Sequence, residues 1–381
     1  MKWSYVGPGY SSKVFPESVQ QYKRLYSGNT GNLIYYFATQ CVVGFTGSPM
    51  SVGISVDRIN KRGSGLVLSL ANQLGAHTDL SQRGLKLDGL EVPVVALGLG
   101  AQVKEMTDDF SFISDGTINW LRQFAERAKV GVPSITLRGD YTYSLMEKMG
   151  FGDYVVSIGC QTNFISSNAT LGHDIYKRSL ATNIERVSVA AGSPFNKELR
   201  RLEASLLHLA VTTNGDYVVQ HPESFISLVA RFSEEDLNSS IEKIYPAYAR
   251  YGFTKESFLR AVRSNFRLYN DAVNWMMSHK NSDVVVGTRI HGVQSALQAG
   301  VPAICLYIDS RTKELCEKMR IPSASAHDFL HGIDLEDIRR ILCDWDYEYY
   351  DSNRLELARS LKSFLDANSV PIGGSLSSLV S

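Results

Sequence analysis

The sequence predicts an α/β protein with parallel sheets divided between two domains. Three observations carry this. Short apolar or β-branched runs alternate with amphipathic helical patterns along most of the chain, as strand–helix–strand units require. The alternation restarts after a polar stretch at 164–184. The chain has 381 residues, more than one ordinary core organises.

In order, residues 1–27 show little periodicity and read as an N-terminal arm laid on the surface. Gly28, Asn29 and Asn32 then open a helical stretch; they suit either a turn that caps it or a loop approaching a ligand. Strands follow at 65–72 and 92–100, then an amphipathic helix at 118–128. The strand at 133–137 delivers Arg138 at its carboxyl end, before a helix at 143–149. A strand from Val155 ends in Gln161 and Asn163. The second series begins at Arg186 with a strand, a helix at 199–211 and a strand ending in His221. Residues 223–280 read as mostly helical. Beyond Pro322 come a helix at 335–343, an aromatic–acidic surface link at 345–350, a helix at 352–367 and a mobile tail.

The densest signal is Asp283–Tyr307. Val284–Val286 suits a buried parallel strand, and a helical pattern closes at Gly300 before Pro302 and a second apolar run. Arg289 and His291 therefore sit in a loop at the carboxyl end of a strand and at a helix N-terminus, where ligands and negative charge are favoured. A lone Arg-x-His also serves as an ion pair and a cap. The placement between two apolar strands favours an anion site.

Composition narrows the ligand. Lys plus Arg equals Asp plus Glu, 39 against 39, which excludes a generally basic nucleic-acid surface and leaves room for a local anion pocket. No apolar run approaches the roughly 20 residues that span a bilayer, and the first residues carry no secretory segment. Five scattered cysteines suggest reduced thiols in the cytoplasm, and eight dispersed histidines indicate no metal site.

Taken together, Gly28–Asn32, Gly98–Gln102, Leu137–Asp140, Gly159–Asn163, and Gly287–Gly292 with Gly300-Val-Pro302 resemble the polysaccharide pyruvyl transferase family over roughly residues 28–325. The Arg-aliphatic-His-Gly motif followed by Gly-x-Pro is the specific part. The resemblance implies a GT-B-like fold, two Rossmann-like domains with parallel sheets facing a central cleft. Domain bounds would be 1–175 on the acceptor side and 176–350 on the donor side, with 351–381 a helix packing back on the first domain plus the tail.

The implied activity is transfer of a pyruvyl group from phosphoenolpyruvate to two sugar hydroxyls, as a ketal, with release of phosphate, in exopolysaccharide or capsule assembly. The implied donor site is Arg138, Arg289, Ile290, His291 and Lys313, with Arg138, Arg289 and His291 catalytic; Gly28, Asn29, Asn32, Gln161 and Asn163 are expected near the acceptor. Asn32 stands where the family often has an acid, which bears on acceptor choice. No cofactor or metal is implied beyond the donor substrate. The acceptor would be a glycan or lipid-linked saccharide, reached in the cytoplasm, with peripheral contact at the inner face of the membrane.

On the residues' own chemistry, a phosphate plus a carboxylate calls for several fixed cations, and a histidine titrating near neutrality could move the proton. The rival is a nucleotide-sugar GT-B glycosyltransferase using Glu314 or Glu317 at a ribose; a non-catalytic sugar-binding protein is the third class.

Overall fold

The computed structural model describes residues 2–381 apart from positions 8, 10, 12–14, 48, 52 and 182. Its first sheet has five parallel strands, β1 (Trp3–Val6), β2 (Gly65–Ser69), β3 (Val94–Leu99), β4 (Ile135–Leu137) and β5 (Val155–Ser157), in the order of the sequence. Between β1 and β2 lie α1 (Val19–Tyr26), α2 (Asn32–Val42) and α3 (Val56–Arg62). Then come α4 (Leu80–Arg83), α5 (Asp115–Ala125), α6 (Asp140–Lys148) and, after the sheet, α7 (Leu171–Ala181).

A sequential parallel sheet has right-handed crossovers that all fall on one face. Here α3, α4, α5 and α6 cover that face, against Leu66, Leu68, Val94 and Ala96. The side chains between them, Val67, Val95 and Leu97, point the other way and need a separate cover. This alternation is what a two-faced buried sheet requires.

The second sheet has six parallel strands: β6 (Val187–Ala190), β7 (Tyr217–Val218), β8 (Phe266–Arg267), β9 (Val284–Gly287), β10 (Ala303–Tyr307) and β11 (Ser323–Ser325). Their spatial order is β8-β7-β6-β9-β10-β11. That is the doubly wound order, with its switch point between β6 and β9. The helices are α8 (Arg200–Thr212), α9 (Glu223–Ala230), α10 (Glu234–Ala249), α11 (Lys255–Ser264), α12 (Ala272–Ser278), α13 (Ile290–Gln298) and α14 (Ser310–Met319). The chain ends with α15 (Leu335–Cys343), α16 (Tyr347–Ala367) and α17 (Gly374–Leu379).

The carboxyl ends of the two sheets face each other, as expected of a GT-B-like chain. Val103 N–H donates to Ser310 Oγ at 3.1 Å, and Gln102 Nε2 to Asp309 Oδ2 at 3.0 Å. Across the same seam Thr30 N–H donates to Gln220 O at 3.2 Å. No helix among the described residues is long and apolar enough to cross a membrane.

The open face of the first sheet is closed by α2 and by the end of the chain: Leu357, Leu361, Phe364 and Leu365 of α16 and Leu376 and Leu379 of α17 pack on Val67, Val95 and Leu97. The expected packing-back is therefore present, but the tail is not mobile. Its helix buries two leucines and is tied through Gly373 N–H to Val42 O at 2.8 Å. The 345–350 segment joins α15 to α16 and lies mostly at the surface, as expected, but its last four residues already belong to α16 and Tyr350 is fully buried.

Other expectations change too. The N-terminal arm contributes β1, whose Trp3 and Tyr5 are buried; positions 8, 10 and 12–14 of that stretch lie outside the described residues. The polar stretch at 164–184 contains α7, which packs on α16, with position 182 outside the described residues. Strands β8 and β11 are too short, at two and three residues, to leave a periodic trace.

Candidate active site

The switch point supplies half of the site. Strand β9 ends at Gly287, Arg289 is the N-cap of α13, and His291 is its second residue. His291 is thus not itself the cap. Gly300, at φ +75°, and Pro302 end that helix and fix where its N-terminus lies. Behind the loop, the buried Glu203 of α8 accepts from Thr288 Oγ1 at 2.9 Å and from Gly192 N–H at 3.1 Å. A Cβ on Gly192 would stand 1.8 Å from that carboxylate, so only glycine admits the contact. Burial raises the pKa of Glu203, and these two donors partly offset the shift.

The first sheet supplies Arg138, at the carboxyl end of β4. Its side chain is 1 % exposed and passes over Gly100, where a Cβ would lie 2.7 Å from Arg138 Cδ. Nε donates to Gly98 O at 2.9 Å, while Nη1 and Nη2 have no partner among the described residues. This accounts for the Gly98-Leu-Gly100 pattern: the guanidinium uses the space two glycines leave.

These two halves converge. The His291 ring lies 5.6 Å from the Tyr35 ring of α2, and Arg138 acts electrostatically on both. Arg289 Nη2 lies 3.4 Å from His221 Nδ1 at the end of the β7 segment. A third cation joins them. Arg311, in the first turn of α14, adds its charge to those felt by Arg138, Arg289 and His291. Its helix is started by Asp309, whose capping box with Thr312 holds Arg311 in place; Asp309 Oδ2 also lies 3.5 Å from Arg311 Nη2. Burial alone would raise the Asp309 pKa, but Arg311 and Thr312 hold it below the usual range.

The unpartnered buried atoms of this cluster are all nitrogens: Nη1 and Nη2 of Arg138, Nε of Arg289, Nε of Arg311, Nε2 of Gln220 and Nε2 of His291. Several are obligate donors, and nothing among the described residues accepts from them. Burial and the neighbouring guanidiniums hold Arg138 and Arg289 below their ordinary pKa. Burial first, then Arg138 and Arg311, push His291 well below its own. The expectation is a histidine titrating near neutrality; here burial first, and then two fixed cations, oppose its charging.

Of the remaining expected residues, Ile290 packs its side chain into an apolar core cluster. Lys313 is half-exposed, with Glu317 Oε1 3.8 Å away, and lines a separate cavity between the two halves with Asp309 and Ser310. Of the cations at the start of α14, Arg311 is the one whose charge reaches Arg138, Arg289 and His291. Sequence alone could have found Arg311 from the Asp309–Thr312 capping signal, which fixes the helix phase.

On the acceptor side, Asn29 Oδ1 accepts from Gly31 N–H at 2.8 Å, and Asn32 Nδ2 donates to Tyr26 O at 2.9 Å. Gly28 takes φ +76° in this turn, so the capping reading of the motif accounts for much of it. Asn32 also lines a cavity beside Tyr35. Gln161 and Asn163 do not reach it: both are buried, Gln161 on Thr39 Oγ1 at 3.1 Å and Asn163 against Tyr350 and Arg354. The acids weighed for a ribose are also engaged elsewhere. Glu314, 2 % exposed, accepts from Thr142 Oγ1 at 2.7 Å and its N–H at 3.0 Å, and Glu317 faces Lys313.

Fold and site together define a two-sheet α/β protein with a cluster of buried cations in the cleft between its sheets. Residues 62–310, well over half of the chain, match the polysaccharide pyruvyl transferase family, and the chain belongs to it. No curated sequence matches it significantly. Solved structures with similar outlines include MnaA of S. aureus with UDP, at 11% identity over 96% of this chain and 98% of that one, TM-score 0.42. UDP-GlcNAc 2-epimerase from Methanocaldococcus jannaschii is 10% identical over 95% and 100%, TM-score 0.42. The wall teichoic acid polymerase TagF is 12% identical over 96% and 90%, TM-score 0.39. All three likenesses are remote.

Proposed function

We propose that this member of the family takes phosphoenolpyruvate as donor and forms a pyruvate ketal on two hydroxyls of one sugar of a glycan or lipid-linked saccharide, on the cytoplasmic side. The observation that carries the reading is the convergence of Arg138, Arg289, Arg311 and His291, with six nitrogens of the cluster unpartnered among the described residues. A phosphate and a carboxylate on one small molecule suit such a set, because each oxygen finds a fixed, charge-assisted donor.

In the reaction, the donor methylene carbon gains a proton and its neighbour becomes an oxocarbenium centre. One sugar hydroxyl adds there, phosphate departs, and the second hydroxyl closes the ketal. Two hydroxyl protons are released; one balances the proton taken by carbon and the other leaves on phosphate. Burial first, then Arg138 and Arg311, disfavour a charged His291. A bound trianion offsets the part of this that the arginines contribute and gives an imidazolium a counter-charge, so donor binding favours proton uptake by His291 beside the carbon that needs it. The arginines hold the phosphate as its charge grows.

The test is phosphate release from phosphoenolpyruvate with a panel of nitrophenyl and lipid-linked glycosides. Release that requires both donor and glycoside supports the reading. A protein that phosphoenolpyruvate neither stabilises nor is consumed by refutes it.

A further inference from the structure

Beside the cation cluster lies a cavity of about 290 Å³ at the carboxyl ends of β1 and β2. Of the described residues that line it, none is Asp, Glu, Lys, Arg or His. Its wall combines aromatic faces, from Tyr35, Tyr36 and Trp120, with the amides of Asn32, Asn72 and Gln73 and with hydroxyls such as Ser69. Elsewhere in the cleft the lining differs: a cavity of about 440 Å³ under α14 carries Lys104, Glu105, Glu198 and Lys313. Aromatic faces and neutral amides suit a polyhydroxylated ring that is apolar on its faces and polar at its edge.

Two links tie this cavity to the donor site. Tyr35 is on its wall, and the Tyr35 ring is 5.6 Å from that of His291. Asn72 Nδ2 donates to Gln102 Oε1, Gln102 Nε2 donates to Asp309 Oδ2 at 3.0 Å, and Asp309 pairs with Arg311 at 3.5 Å. A ring held here is one side chain away from the imidazole.

Resting on the pyruvyl-transfer reading, we propose that this cavity holds the sugar that receives the pyruvyl group, and that it selects an uncharged one. A uronic acid placed here would bring a carboxylate against walls that offer it no cation, and its desolvation would go uncompensated.

The experiment measures binding of nitrophenyl galactoside, glucoside, N-acetylmannosaminide and glucuronide by saturation-transfer NMR, with thermal shift by phosphoenolpyruvate as a parallel readout. Wild type should bind at least one neutral glycoside about tenfold or more tighter than the glucuronide. Ala71→Leu extends a side chain from the wall into the cavity; neutral binding should fall about tenfold while the phosphoenolpyruvate shift is kept. Gln73→Lys puts a cation on the wall and should narrow the neutral-to-acidic ratio. Glucuronide bound as tightly as every neutral glycoside, or a ratio that neither variant moves, overturns this inference alone. Absence of any phosphoenolpyruvate shift in wild type overturns the underlying reading with it.

Discussion

Replacing Arg138 by methionine keeps most of its aliphatic volume and deletes a guanidinium that is 1 % exposed, bonded through Nε alone. Two donors buried without a partner cost about 1–3 kcal/mol each, and the bond from Nε to Gly98 O contributes about 1.5–3 kcal/mol. Relief from the like charge of Arg311 acts in the same direction as removing the unmet donors. The ligand-free Arg138→Met protein should therefore be more stable than wild type, by about 1–2 kcal/mol. Arg354 provides the contrast. It is equally buried, yet its three nitrogens donate to the carbonyls of Asn163, Asn168 and Ser166. Arg354→Met leaves one buried acceptor and two part-buried ones unmet and should cost about 2–4 kcal/mol.

The assay is urea unfolding with and without phosphoenolpyruvate. At a hundredfold excess over its Kd the donor adds about 2.7 kcal/mol to wild type. Loss of a buried charge-assisted contact, of order 2–5 kcal/mol, should reduce that increment in Arg138→Met to under about 1 kcal/mol. An Arg138→Met protein destabilised as Arg354→Met is, and still stabilised fully by the donor, would make Arg138 a structural residue and break the site in half.

Three further outcomes are expected. His291→Asn should fold with a near-native melting temperature, since Arg289 is the N-cap of α13, and lose about 10²-fold or more in turnover at saturating donor; full turnover would remove the imidazole from the chemistry. Calorimetry at pH 7 in buffers of different ionisation enthalpy should show donor binding taking up about one proton, and His291→Asn should abolish the uptake. His279, buried with its Nε2 2.8 Å from Ser295 Oγ, has its pKa held by burial at about 3 against an ordinary 6.5. The unfolded chain then binds a proton that the folded chain refuses, so stability falls as pH drops below about 6.5, by about 2 kcal/mol at pH 5. Unfolding midpoints at pH 7 and 5 should show this, with a shallower fall in His279→Gln.

The parts legible in the sequence were those written in local periodicity. The β-branched run at 284–286 and the glycine after it gave the strand, the switch-point loop and both of its functional side chains. Arg138 was legible for the same reason, as the residue that follows an apolar strand. What escaped depends on contacts distant in sequence. Glu203 resembles any acid on an amphipathic helix until Gly192 and Thr288 are brought to it. Lys313 and Arg311 both begin one helix, and only its rotation decides which of them meets the cation cluster. Gln161 and Asn163 end a strand as binding residues do, but Thr39 of α2 engages the first and α16, from the far end of the chain, packs over the second. The tail looked mobile because serines and glycines dominate it; two leucines at the right phase outweigh composition.

The strand order of the first sheet has a consequence for how this protein is made. As the chain emerges during synthesis, β1 to β5 and the helices of one face are available early, but the other face must wait for α16 and α17, which follow the whole second sheet. Until they arrive, Val67, Val95 and Leu97 form an apolar surface shielded by α2 and by Ile158 and Phe164 after β5. An amino-terminal half expressed by itself is therefore expected to expose part of this surface, as is the product of a nonsense codon before α16, and to be met by chaperones and proteases. Completion of one half is conditional on translation of the other, so the cell acquires both sides of the cleft together or neither.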